Sequence, residues 1–453
     1  MLRVNFTYSF NLRALLLAGV LASLLPACAP AGNESTANTP STGSGRPAPQ
    51  RDLMMAAPAS AGFDARRLGR ITEAMRDHVD AGLLAGAVTL AAREGRIVHF
   101  DSVGYRDIES GAPMRNDTLF RIYSMTKPVT GVALMMLYEE GEFRLSDPVE
   151  KYLPELAGLQ VYAGEDANGE PILEPADHPM TIRELMSHTG GLSYGLFSQS
   201  AVDDMYVEAN ILDANQTLDE FIAKLGAIPL RQQPGTMWHY SVSVDVQGAL
   251  VERLSGQRFG EFLEDRLFDP LGMIDTHFYV PEEKVDRFAQ VYSYDDNGEL
   301  IARERFADAN FLVEPNFESG GGGLVSTAMD YARFSQMLLN GGELNGVRIL
   351  APLTVDLMHR NQLPDAVEGI ALGASGTTFG LDFAIIEDPV AAEGYSQGEY
   401  YWGGAAGTWF WIDPVEDIIF VGMIQQFGDR LPDVRATSRT LLYSALMEPN
   451  GVR

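Results

Sequence analysis

Strand-like sequence stands at both ends of this chain with mainly helical sequence between. Because unpaired strand edges are a liability that folds avoid, that order restricts the architecture severely. Near the first end, Ala87 to Ala92 and Ile97 to Val103 are apolar runs joined by Arg93-Glu94-Gly95-Arg96, which predicts a hairpin. Toward the other end, Phe379 to Ile386, Tyr400 to Ile412 and Ile418 to Gln425 read as strands. The expected fold is therefore α/β of the α+β kind. One antiparallel sheet is built from both chain ends and flanked by helices, with an inserted, mainly helical lobe over about 118–300.

The helices follow from periodicity. Leu68, Ile71, Met75 and Val79 mark an amphipathic helix over Asp64 to Asp80. Further helical patterns cover Ser124 to Gly141, Ile182 to Ser187, Leu218 to Leu225, Val242 to Leu254 and Phe259 to Leu267. Thr327-x-x-Asp330 predicts a capped helix through Leu339, and a last helix runs from Asp433 to Met447.

With 453 residues, 46% of them hydrophobic, the chain exceeds what one core organises, hence two lobes. Lys and Arg number 33 against 62 Asp and Glu, a formal charge of −29, which leaves no cationic footprint for nucleic acid. One cysteine permits neither an internal disulfide nor a cysteine-bound metal cluster. The seven histidines, at 78, 99, 178, 188, 239, 277 and 359, form no H-x-H or H-x-x-x-H pair. A zinc site is not expected, nor is any other cofactor. His188 and His239 are read as packed or turn-stabilising.

The first 27 residues carry Arg3 and Arg13 as their only charges, then an apolar run from Ala14 to Leu25, which is the layout of an export signal. The run is shorter than the roughly 20 residues a bilayer span needs. Its end, Leu25-Pro26-Ala27-Cys28, resembles a bacterial lipobox, although Pro26 stands where a small or aliphatic residue is usual. Cys28 is thus the expected lipid attachment point, followed to residue 60 by a flexible linker rich in Ala, Pro, Gly, Ser and Thr. The folded domain is expected over 61–447 and a short tail over 448–453. The expected location is periplasmic, with the membrane touched only through the anchor.

Three elements carry chemistry. Ser124-Met125-Thr126-Lys127 puts a serine and a lysine one helical turn apart, so the amine can lie beside the hydroxyl. A serine needs a base to become nucleophilic, and a lysine amine serves only where its surroundings keep it neutral. Alone the motif is weak, since a solvated lysine beside a capping serine has the same spacing. Tyr240, in Pro234-Gly-Thr-Met-Trp-His-Tyr-Ser241, is a candidate second base or acid, against the plainer reading of core packing. Trp402-Gly403-Gly404-Ala405 allows a ligand to approach a strand edge closely, with a bulge as the plainer alternative. Gly191-Leu192-Ser193-Tyr194-Gly195 fits G-x-S-x-G but lacks the strand before and helix after that a nucleophile elbow needs.

In this order, and with Thr118-Leu-Phe-Arg-Ile-Tyr123, Leu185-Met-Ser-His-Thr-Gly-Gly-Leu192 and Gly322-Gly-Leu-Val-Ser-Thr327, the chain resembles the serine β-lactamase and penicillin-binding protein superfamily. Within it the resemblance is to the class C β-lactamase branch and the family VIII carboxylesterases. It implies an acyl-enzyme on Ser124, with Lys127 and Tyr240 as base and proton relay and the backbone N–H groups of Ser124 and Ala405 as oxyanion hole. Two departures bear on substrate: Trp402 replaces the cation of the Lys-Thr-Gly triplet, and Val242 stands where an asparagine is usual. With Gly403 and Gly404 these would line the substrate site. They point to uncharged short or medium acyl esters, with a β-lactam, a D-amino acid peptide or acyl transfer as the same-fold alternatives, and a non-catalytic envelope binding protein as the alternative of another class.

Overall fold

The computed structural model describes residues 53–450, apart from 198, 304–310, 368 and 374. The expected signal over 1–27, Cys28, most of the linker and residues 451–453 lie outside the described residues.

The central sheet contains β1 (Gly86–Arg93), β2 (Arg96–Asp107), β3 (Thr377–Phe379), β4 (Ala384–Ile386), β5 (Tyr400–Gly403), β6 (Trp409–Asp413) and β7 (Ile418–Met423). They lie in the order β2-β1-β7-β6-β5-β4-β3, every neighbour antiparallel. Met54–Met55 adds a short parallel strand beside β2, and Ala112–Pro113 pairs with it too. The two chain ends join where β7 meets β1, from Ile418 opposite Arg93 to Met423 opposite Val88. Both of those strands are buried at every position, as expected of strands covered on both faces.

Side chains alternate between the faces. Ala87 and Ala91 join Trp409, Trp411 and Phe420 under α1 (Arg70–Asp80) and, at the C-terminal end, the helix Val434–Ala445. Val88, Leu90 and Val421 join the larger core of the helical lobe, which includes α2 (Thr126–Glu139), α3 (Ser243–Ser255) and α4 (Ala328–Leu339); we call Val434–Ala445 α5. The β1–β2 turn has Glu94 and Gly95 at φ 54° and 72°. Two consecutive positive φ values match the twist of a two-residue hairpin.

The structure corrects the sequence reading in three places. Phe379 to Ile386 is two strands, because the chain folds back at Gly380–Phe383, where Asp382 takes φ 65°. Tyr400 to Ile412 is likewise β5 and β6, closed by the Gly404 N–H donating to the Thr408 carbonyl at 2.8 Å, so Ala405 lies in a turn and not on a strand. The inserted lobe holds two hairpins besides its helices, Gln160–Glu165 with Pro171–Pro175 and Val291–Tyr294 with Leu300–Arg303. Their turns repeat one chemistry: Asp166 accepts from the N–H groups of Asn168 and Glu170, and Asp295 from those of Asn297 and Glu299. As expected, Thr327 caps α4 by accepting from the Asp330 N–H, and α4 ends at Leu339; the Asp330 carboxylate does not reach back. It accepts from the Asp275 N–H and the Thr276 hydroxyl instead.

Candidate active site

Phe120–Arg121 pairs with Val325–Ser326, then the chain turns sharply through Tyr123–Met125 into α2. Tyr123 has φ 43°, uncommon for a bulky side chain, and its ring is held edge-on by Phe311 and Phe427 at 6.0 and 5.6 Å. Burial pushes the Tyr123 phenol up to about 12, opposed by Arg121. This strained turn delivers Ser124, half-buried, to the start of α2.

One turn further on, Lys127 is almost completely buried. Its amine contacts Ser124 Oγ at 3.3 Å, the Tyr194 hydroxyl at 2.9 Å and the Gly321 carbonyl at 2.6 Å. These acceptors aim the amine at the serine. Tyr240 stands over it, its ring centroid 4.6 Å from Nζ, and its hydroxyl accepts from Trp402 Nε1 at 3.4 Å. Beneath Tyr240 lies His188, buried, at 5.0 Å between ring centroids. Burial, reinforced by Lys127 and His239, pushes the His188 imidazole well down, so it stays neutral.

The Tyr240 segment is fixed by backbone hydrogen bonds to the irregular stretch after Ile182–Met186. The His239 N–H donates to the His188 carbonyl at 2.8 Å, and the Val242 N–H to the Ser193 carbonyl at 3.1 Å. Val242, at the N-cap of α3, is fully buried. On the other side, a Cβ at Gly404 would lie 2.3 Å from the Ile122 carbonyl oxygen, so only glycine lets the β5–β6 turn approach the chain just before Ser124. Ser124, Lys127, Tyr240, Trp402 and the glycines around 403–404 thus come together, although they are spread over 280 residues of sequence.

Sequence reasoning missed three neighbours. Tyr194 bonds Lys127 directly, and burial, with Asp245 and Tyr240 adding to it, holds its phenol far above the ordinary range. Asp245, in the first turn of α3, is fully buried. Arg435, on α5, fills the space that a side chain at 403 would take and donates to the carbonyls of Gly404 and Thr408 at 3.4 and 3.2 Å. Trp402 lies on β5, and the Arg435 guanidinium stands behind the same edge.

Ser193 is not poised for attack. Its hydroxyl is buried and donates to Asp203, which Arg231 also holds at 2.8 Å, and His239 Nε2 lies 3.2 Å from the same hydroxyl. In a catalytic triad the carboxylate orients the imidazole; here it takes the serine proton's hydrogen bond for itself. His239 is pushed down to about 4, mainly by burial.

This fold with a serine, lysine and tyrosine brought together defines a class, and sequence comparison agrees. The Beta-lactamase family model matches residues 71–444. Protein Rv1367c of Mycobacterium tuberculosis is 38% identical over 372 residues, covering 80% of this chain and 91% of that protein. Esterase EstB of Burkholderia gladioli is 33% identical over 376 residues, covering 78% and 89%. The solved structure of EstCE1, a hydrolase with promiscuous acyltransferase activity, has a TM-score of 0.70 at 28% identity, covering 85% of this chain and 99% of that one. The chain belongs to the beta-lactamase family and is a serine hydrolase of that fold.

Proposed function

We propose that the protein is a carboxylesterase that acts through an acyl-enzyme on Ser124 and prefers uncharged short or medium acyl esters. The observation that carries this reading is the buried Lys127 amine beside Ser124, with Tyr240 above it and Trp402 where a β-lactam-binding cation would stand. When neutral, the amine takes the Ser124 proton as Oγ bonds to the ester carbonyl carbon, and backbone N–H groups of Ser124 and Ala405 receive the developing oxyanion. Tyr240 gives its proton to the departing alkoxide and regains one from the Lys127 ammonium, which leaves the amine neutral again. Water, activated by the same pair, then releases the acid and restores Ser124; an alcohol in place of water gives acyl transfer, the promiscuous activity of EstCE1.

The test compares the purified protein on p-nitrophenyl butyrate and on a chromogenic cephalosporin. The expected kcat/KM is at least about 100-fold higher on the ester, equivalent to about 2.7 kcal/mol of transition-state discrimination. Cephalosporin turnover without ester turnover overturns the substrate reading.

A second reading, acyl substrates that bear a carboxylate, is favoured by Arg435 behind Gly403 and Gly404. It predicts that Arg435→Ala weakens an acidic ester and spares a neutral one. For localisation, we propose export with lipid attachment at Cys28, on the strength of Arg3, Arg13 and the apolar run before it. Palmitate labelling of wild type but not of Cys28→Ser is the expected result, and an unlabelled wild type refutes the anchor.

A further inference from the structure

Asp245 is a carboxyl group in a place where one is costly. It is fully buried, and one of its oxygens, Oδ2, has no hydrogen-bond partner among the described residues. Burial pushes its carboxyl up, opposed first by Lys127. It is the third residue of α3, where an acid ordinarily reaches back to the N–H of the capping residue. That job is already filled, because the Val242 N–H donates to the Ser193 carbonyl. Asp245 turns the other way, toward the glycine run.

There Oδ1 accepts from the Ser319 hydroxyl at 2.5 Å and from the Gly321 N–H at 3.0 Å. The Gly321 carbonyl, at the other end of the same residue, is the closest acceptor of Lys127, at 2.6 Å. The preceding carbonyl, Gly320, accepts from Thr130 on α2 at 2.9 Å. The fit leaves no slack: a Cβ at 321 would stand 2.5 Å from Asp245 Oδ2 and 2.8 Å from the Tyr194 hydroxyl. A carbonyl can only accept, so one N–H of Lys127 is always committed to Gly321. Tyr194 takes a second. What remains to a neutral amine is a lone pair facing Ser124.

We propose that Asp245 is a positioning residue for the acylation step: by holding the Ser319–Gly321 turn it fixes the Gly321 carbonyl and through it the direction of the Lys127 lone pair. The proposal rests on the reading of Lys127 as the base for Ser124. It distinguishes the carboxyl oxygen as an acceptor from a side chain that merely fills space, because an amide can replace the first and an alanine cannot.

The test is the rate at which a fluorophosphonate probe labels Ser124, together with kcat and KM for p-nitrophenyl butyrate, in variants checked for folding by thermal melting. Asp245→Ala is expected to label about 100-fold more slowly, the lower end of what a positioned base supplies, with kcat reduced and KM unchanged. Asp245→Asn keeps an oxygen for Gly321 and is expected to recover most of the rate. Ser319→Ala leaves the Gly321 contact and should cost only severalfold, which gives a reading even if Asp245→Ala does not fold. A folded Asp245→Ala that labels at the wild-type rate, or an Asn variant as slow as a folded Ala one, overturns the proposal. So does a Ser319→Ala variant slowed as much as Lys127→Ala. Unimpaired labelling of Lys127→Ala overturns the base assignment itself, and the proposal with it.

Discussion

The Lys127 amine lies 2.9 Å from the Tyr194 hydroxyl and 3.3 Å from Ser124 Oγ, so it is nearer to a phenol than to the serine. Under the proposed mechanism two tyrosines are therefore candidates for the proton carrier, one bonded to the amine and one with its ring over it.

Tyr240→Phe is expected to lower the ester kcat by about 10²–10⁴-fold, the usual worth of a general acid or base, whereas Tyr194→Phe should lower it about tenfold by loosening the amine. Stopped-flow measurement of the p-nitrophenol burst reads both. The reverse order of effects would exchange the two roles.

Ser124→Ala should abolish turnover and probe labelling. Ser193→Ala should keep activity but lose about 1–3 kcal/mol of stability, because it removes a buried hydrogen bond to a charged carboxylate, that of Asp203. Urea unfolding monitored by tryptophan fluorescence measures the second. An inactive but fully stable Ser193→Ala would contradict the structural role.

Gly404→Ala puts a Cβ 2.2 Å from Thr408 Oγ1 and 2.3 Å from the Ile122 carbonyl oxygen, and backbone cannot rotate away as a side-chain tip can. The β5–β6 turn must retreat from Ser124, at a cost of about 1–3 kcal/mol as for other overpacked sites. Activity should fall more steeply than the melting temperature. Unchanged kcat in this variant would separate the turn from catalysis.

Glu399, just before β5, is fully buried against Arg439 at 2.5 Å, and burial raises its carboxyl to about 7. A carboxyl whose folded value is raised favours folding while it is protonated and gives that advantage up as pH rises through about 7. Glutamine mimics the protonated acid and does not titrate. The melting temperature of Glu399→Gln minus that of wild type should therefore increase from pH 5 to pH 8. A difference that falls over this range would show that the Arg439 pairing outweighs burial.

The sequence made the β1–β2 hairpin readable because Glu94-Gly95 supplies the left-handed pair its turn demands. Of the helix expected over Asp64 to Asp80, Ile71, Met75 and Val79 fall in α1, whereas Leu68 ends a separate short helix, Ala65–Leu68, that stops at Gly69. The hairpins at 160–175 and 291–303 were missed although each contains Asn-Gly, a strong turn signal, because the surrounding lobe reads as helical. Asp382 hid a chain reversal inside an apolar run, since an aspartate at φ 65° leaves no mark in hydrophobic patterning. In the site, Ser124 and Lys127 were legible because they stand three residues apart, one in the turn Tyr123–Met125 and the other in the first turn of α2. Tyr194 was not: it stands inside a G-x-S-x-G match whose serine drew the eye, and only the pairing of residues 188–193 with the Tyr240 segment carries it to Lys127. Arg435 approaches from α5 across the sheet, and no local pattern announces a contact at that separation.

The seam between β1 and β7 also sets a clock. Val88 waits for Met423, and Trp402 reaches Tyr240 only when most of the polypeptide has left the ribosome. Contacts of such separation form late and slowly. A chain cut short before Ile418 lacks β7 and cannot close the sheet against β1, so the two ends that frame the site stay apart.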